Sequence, residues 1–279
     1  MIFKPIPYEF YEYGTAYFWV HFGLVIFGFV LAIVTFLSQR VNPAPYGKHD
    51  QLAANWGPMI PQRLAHITSD AIPGVLWFAL IFFLYSKEQS DKEIINYVLF
   101  GIFLLHTVHR GIIHPLVMRY KSSKVALGIC LGALIPNFLY HFLNANHIAV
   151  SKYDKNYYYD PRFILGILLF LIGFVINRWA DWMLRSLRRT RGNFIESSGS
   201  AGYYIPYGGL YELVSCPNYF GELVQWIGWT LATWSLAGFV WTCFSAATFF
   251  ARAYHNHMWY KENFENYPPN RKAILPFLY

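Results

Sequence analysis

The stretch 15–37, TAYFWVHFGLVIFGFVLAIVTFL, runs for 23 residues without a charged side chain. As an α-helix rising about 1.5 Å per residue, it is long enough to cross a hydrocarbon core of about 30 Å. It does not read as a cleavable signal peptide. It is too long for such an apolar core, and the preceding residues, with Lys4, Glu9 and Glu12, lack a basic run. Comparable blocks recur near 65–86, 94–118, 124–148, 162–184, 212–235 and 237–257. Together they predict one domain over 1–279, an all-α integral membrane protein built as a bundle of seven transmembrane helices. Composition agrees, because only 13% of the residues are charged while 56% are hydrophobic. Soluble domains carry about a quarter charged residues.

The net charge of +7 does not indicate a nucleic-acid partner, since Lys and Arg lie between the apolar blocks, where membrane loops carry them. With the N-terminus placed outside or in the lumen, fourteen basic residues face the cytosol, from Arg40 to Lys272, and six face outward. The positive-inside rule therefore predicts an outside N-terminus and a cytosolic C-terminus, in an endoplasmic-reticulum or bacterial inner membrane. Cys130, Cys216 and Cys243 form neither a disulfide framework nor a CxxC metal pair. The loop 38–62 holds Pro43, Pro45, Gly57, Pro58 and Pro61, which break helices without marking a domain boundary.

Polar side chains at membrane depth are costly, so they face a bundle interior or a cavity. His66 and Asp70 lie one to two turns into the second span, and His106, Thr107, His109, Arg110 and His114 occupy the inner half of the third. Asn177, Asp181, Arg185 and Arg188 share one face at the end of the fifth. Asn218 and Glu222 open the sixth span, and Arg252, His255, His257 and Tyr260 close the seventh. Any one of these reads as a snorkelling or capping group. Five helices converging on one end predict a cytosol-facing site. His21 and His141, each without a polar partner singled out at helical spacing, read as structural histidines.

A basic chamber rich in amides and tyrosines suits an anionic cofactor such as a dinucleotide. No GxGxxG follows a strand and no GxxxxGK[ST] occurs, so the binding route is not of the Rossmann kind. No metal is expected. His106, His109 and His114 have ligand-like spacings, but the chain has no adjacent histidine pair and its other histidines are scattered.

The C-terminal third is more specific. The run Ile205-Pro206-Tyr207-Gly208-Gly209-Leu210-Tyr211-Glu212-Leu213-Val214-Ser215, then Asn218-Tyr219-Phe220-Gly221-Glu222, WTLATWSL at 229–236 and YPPNRKAILPFLY at 267–279 resemble the steroid 5α-reductase family. The likeness continues in Ile176-Asn177 with Asp181, in Leu184-Arg185 and Leu187-Arg188, and in Tyr46-Gly47-Lys48-His49. The resemblance implies a seven-helix enzyme that reduces the C4–C5 double bond of a 3-oxo-Δ4-steroid with NADPH. Its substrate would be an apolar steroid-like enone entering from the bilayer, with membrane lipids as surroundings. Carried over by position, Asn177, Asp181, Arg188, Tyr203, Asn218, Glu222, Arg252, His255 and Tyr260 match positions in or near the cofactor chamber. Arg110, Arg119 and Lys121 match basic positions after the third span.

Three positions depart from the family pattern. Asp70 stands where the family carries a ketone-holding glutamate, Thr107 where it carries a tyrosine, and Asn256 where it carries a histidine. Aspartate is one methylene shorter and threonine far less acidic than a phenol, so His106 and His66 are the expected substitute donors. Three other readings are an enzyme reducing another enone or an enoyl thioester, an S-adenosylmethionine-dependent membrane methyltransferase, and a non-catalytic sterol or lipid carrier. The 192–202 stretch reads as a solvated loop rather than a lid.

Overall fold

Thr15 begins the first helix by accepting a hydrogen bond from the Phe18 amide at 3.2 Å. From there the computed structural model describes residues 14–45, 47–49, 55–84, 92–120, 122–190 (backbone only for 188–190) and 203–279. Seven long helices follow in these residues: α1 Ala16–Val41, α2 Gln62–Leu84, α3 Ile94–Val117, α4 Leu127–Val150, α5 Pro161–Thr190, α6 Pro217–Thr233 and α7 Leu236–Asn263. All but α6 are long and apolar enough to cross a membrane. α6 has 17 residues and buries Glu222, Leu223, Gln225, Trp226 and Trp229 against its neighbours.

The expected spans and these helices differ mainly at two edges. The sixth apolar block begins at 212, yet its helix starts at Pro217. The apolar residues before it are pinned to the C-terminal tail, with the Ser215 and Cys216 amides donating to the carbonyls of Lys272 and Ala273. The fourth apolar block begins at 124, yet Lys124–Ala126 forms a strand, β2, antiparallel to β1, Met59–Pro61, with Ile60 opposite Val125. Hydropathy alone does not separate a short buried strand from a helical turn.

α5 and α6 pack nearly backbone to backbone. A Cβ added at Gly173 would lie 2.4 Å from the Gln225 nitrogen, and one at Gly228 would lie 2.4 Å from the Phe170 nitrogen. Small residues permit this approach between membrane helices. α2 and α3 meet differently. Each widens into a π-helical segment, Ile67–Trp77 around Pro73 and His109–Ile113, and the two segments pack together with Gly111 against the Ala71 backbone. Proline's missing N–H and the wider turn shift side chains around the axis, a distortion often found at functional sites. Asp70 and Arg110 stand on these two segments.

The connections divide the bundle into a turn end, where α6 passes to α7, and a tail end, where the C-terminal segment lies. Toward the turn end the core is aromatic, with Phe78 stacked on Phe103 at 4.1 Å and Trp226 and Trp229 fully buried. Two of its polar side chains are tied in: Tyr140 donates to the Gly28 carbonyl at 2.7 Å, and Trp229 Nε1 donates to Asn144 Oδ1 at 2.6 Å.

Candidate active site

Toward the tail end the helices separate around a cavity of about 740 Å³. Its walls come from α1 (Thr35, Ser38), α4 (Ile129, Pro136) and α7 (Trp241, Phe244). Its floor is polar, formed by Asp70, His106, Thr107, Arg110, Asn137, His141 and Glu222. A concave apolar space with a few convergent polar groups is the usual form of a small-molecule site.

At the floor, Asp70 Oδ1 accepts from Asn137 Nδ2 at 3.1 Å, while Oδ2 lies 3.8 Å from Arg110 Nε. Thr107 Oγ1 is turned back into its own helix, donating toward the Phe103 and Leu104 carbonyls at 3.3 and 3.4 Å. Gln225 Nε2 donates to His106 Nδ1 at 2.9 Å, and His106 Nε2 is 3.7 Å from Glu222 Oε1. His66 does not line this cavity. It stacks on Tyr120 with ring centroids 5.4 Å apart, and its Nε2 lies 3.4 Å from Gln62 Nε2.

Glu222 joins the floor to a second network. Asn177 Nδ2 donates to Glu222 Oε2 at 3.1 Å and to the Asn218 carbonyl at 2.8 Å. Asn218 Nδ2 in turn donates to Asp181 Oδ1 at 3.2 Å, and the other Asp181 oxygen is 3.2 Å from His114 Nδ1. Arg178 bonds to His109 and to Asn177 Oδ1.

A third group lies at the tail end. Lys48 Nζ sits 3.6 Å above the Tyr260 ring, with Trp259 and Tyr203 close by, and Tyr260 stacks on Tyr267. Arg252 Nε donates to Tyr219 at 3.2 Å, His255 Nε2 donates to the Gln39 carbonyl at 2.9 Å, and Asn256 contacts Cys216 Sγ at 3.7 Å. His49 is buried among these groups. Burial first, then the charges of Arg252, His255 and Lys48, push its pKa down to about 4, against a hydrogen bond to Asn256 that acts the other way.

Asp70, His106, Thr107, Arg110 and Glu222 thus share one cavity, Asn177, Asp181 and Asn218 adjoin it, and Tyr203, Arg252, His255, Asn256 and Tyr260 gather beyond. His66 faces elsewhere and Arg119 is exposed. Lys121, the Arg188 side chain and the 192–202 stretch lie outside the described residues. Sequence reasoning missed Asn137 and dismissed His141. Their signal was present, two polar residues four apart on one face of a membrane span.

Residues 123–279 match the family described as 3-oxo-5-alpha-steroid 4-dehydrogenase. The steroid 5-alpha-reductase DET2 of Solanum lycopersicum is 35% identical over 260 residues, covering 92% of this chain and 96% of that protein. The 3-oxo-5-alpha-steroid 4-dehydrogenase 1 of Rattus norvegicus is 34% identical over 249 residues, covering 89% and 91%. That of Homo sapiens is 32% identical over 261 residues, covering 90% and 96%. With six membrane-length helices and a likeness that spans nearly the whole chain, this multi-pass integral membrane protein belongs to the steroid 5α-reductase family of oxidoreductases acting on CH–CH bonds.

Proposed function

We propose that the chain reduces the C4–C5 double bond of a 3-oxo-Δ4-steroid with NADPH, as a single domain whose tail end and C-terminus face the cytosol. The cavity carries this reading: apolar walls suit a rigid hydrocarbon skeleton, and a polar floor suits the ketone at its end. The lipid-facing side of α1, with Val30, Ile33, Val34 and Leu37 exposed, is consistent with a substrate arriving from the bilayer.

The donor set beside the floor fits NADPH. Lys48 and Arg252 would hold phosphate groups, Asn177 and Asn218 amide or ribose edges, and the Tyr203 and Tyr260 rings flat faces. When bound, the cofactor supplies the hydride. The chain must meet the negative charge that reduction places on the ketone oxygen, which requires a preorganised donor in a dry site. Asp70 in its acid form and the Arg110 guanidinium are the floor groups able to serve. The Thr107 hydroxyl is committed to its own helix, and His106, whose Nδ1 accepts from Gln225, carries its proton on Nε2, which faces Glu222. Glu222, held by Asn177, closes the floor on the α6 side.

The test is NADPH consumption by the purified, lipid-reconstituted protein against 4-ene-3-oxosteroids, with products identified by mass. A product two mass units heavier that lacks the C4–C5 double bond is expected. NADPH binding without any steroid reduction would move the substrate to another enone, and failure to bind NADPH would overturn the reading.

A further inference from the structure

Asn137 is tied to both titratable neighbours on its side of the floor. Its Nδ2 donates to the Ser69 carbonyl at 2.7 Å and to Asp70 Oδ1 at 3.1 Å. A carbonyl only accepts, so the amide nitrogen must face this way, and both of its hydrogens are used. The main-chain oxygen of Asn137 accepts from His141 Nδ1 at 2.6 Å. The proton of neutral His141 is therefore on Nδ1, which leaves Nε2 as an acceptor. Gly74 on α2 lets the helices close here. A Cβ at that position would lie 3.1 Å from His141 Nε2 and 3.0 Å from Thr107 Cβ, tighter than ordinary packing.

The two oxygens of a carboxylic acid are not equivalent, because one is a carbonyl that accepts and the other a hydroxyl that donates. Oδ1 takes two donors, Asn137 Nδ2 at 3.1 Å and the Ser69 hydroxyl at 3.5 Å, which makes it the carbonyl; Arg110 Nε, 3.8 Å from Oδ2, is beyond hydrogen-bond distance and leaves Oδ2 to carry the proton. We infer that Asn137 is a positioning residue for the reduction. It keeps the acid proton of Asp70 on Oδ2, available to the ketone, and keeps an unprotonated acceptor at His141 Nε2 on the same floor. The inference rests on the proposed steroid reduction and adds a residue that acts through Asp70. It also accounts for the shorter acid, since aspartate has one torsion fewer than glutamate and its orientation is set from α4.

Infrared difference spectra of the reconstituted protein test this without cofactor or turnover. Subtracting Asp70→Asn from wild type should isolate one protonated-carboxyl carbonyl band. Asn137→Ala keeps the main-chain acceptor of His141 and removes the floor amide that donates to Asp70 and to the Ser69 carbonyl. The Asp70 band should rise in frequency in that variant, because its carbonyl loses a hydrogen-bond donor. Turnover should fall about 100-fold, while the affinities for steroid and NADPH stay within about twofold, since neither ligand is held by Asn137 in this account. If Asn137→Ala is unstable, Asn137→Ser carries the same expectation for the band with a smaller fall in turnover. An active wild type whose Asp70 band is absent, or does not move on substitution of Asn137, overturns the role of Asn137 alone. A shifted band in a protein that reduces no steroid overturns the reductase reading and the role of Asn137 within it.

Discussion

Both ends of the bundle bury amide side chains, but toward the turn end Asn96 and Asn144 are closed into bonds between helices, whereas Asn137 on the cavity floor lines open space. Near the turn end, Asn144 donates to the Tyr140 and Ala237 carbonyls and accepts from Trp229, and Asn96 donates to the Ile148 and Ser151 carbonyls. These bonds join α3, α4, α6 and α7 where no water would reach them, and they offset the cost of placing amides at membrane depth. Around the cavity, Asp70, Arg110 and His141 are oriented by protein partners and also line open space. A polar residue in a membrane helix is therefore not a functional marker by itself. The marker is a polar residue oriented by the protein on one side and open to a cavity on the other.

The contrast breaks most visibly at Asp70. Asp70→Asn keeps the shape and removes the acid, so turnover should fall by about 10²–10⁴-fold with the thermal midpoint nearly unchanged. A wild-type rate would remove Asp70 from the chemistry. Asn144→Leu should do the opposite: it leaves Trp229 Nε1 and the Ala237 carbonyl without their partner and should cost about 1–3 kcal/mol of stability in detergent unfolding. Turnover per folded molecule should be unchanged, and a loss of rate at full stability would erase the distinction between the ends.

A smaller effect is expected at His49, in the tail-end cluster. Its folded-state pKa of about 4 lies below the ordinary histidine value of 6.5, so between these values the unfolded chain binds more protons than the folded one. The contribution of His49 to stability is thus full above pH 6.5 and falls as the pH drops toward 4. His49→Asn should flatten that part of the thermal midpoint against pH, and an unchanged slope would assign it to other groups. The smallest effect is predicted for Thr107→Val. Only an intrahelical hydrogen bond worth about 1 kcal/mol is lost, so turnover should change less than about fivefold. A larger loss would return Thr107 to the role its family position implies.

Much of the fold is legible in the sequence, because uninterrupted apolar runs such as 15–37 and 162–184 leave a chain in lipid little choice but a helix. The departures share a cause, contacts remote in sequence. Leu213 to Cys216 fall within an apolar block yet pair with the C-terminal tail, Lys124–Ala126 pairs with Met59–Pro61, and the π-helical segments of α2 and α3 arise where the two helices meet. The site shows the same limit. The convergence of polar groups from five helices was readable from spacing and depth. The rotation that sends His66 onto Tyr120 and His141 toward the cavity was not, because one helical turn carries a side chain through every direction and the π-helical stretch beginning at Ile67 shifts the phase.

The most direct test of the account is a structure of the lipid-embedded protein with NADPH and a 4-ene-3-oxosteroid. The account predicts the steroid between α1, α4 and α7 with its ketone oxygen within hydrogen-bond reach of Asp70 Oδ2, and the phosphate groups of NADPH beside Lys48 and Arg252. A steroid bound elsewhere, or one whose ketone points away from Asp70 toward the mouth of the cavity, would contradict it.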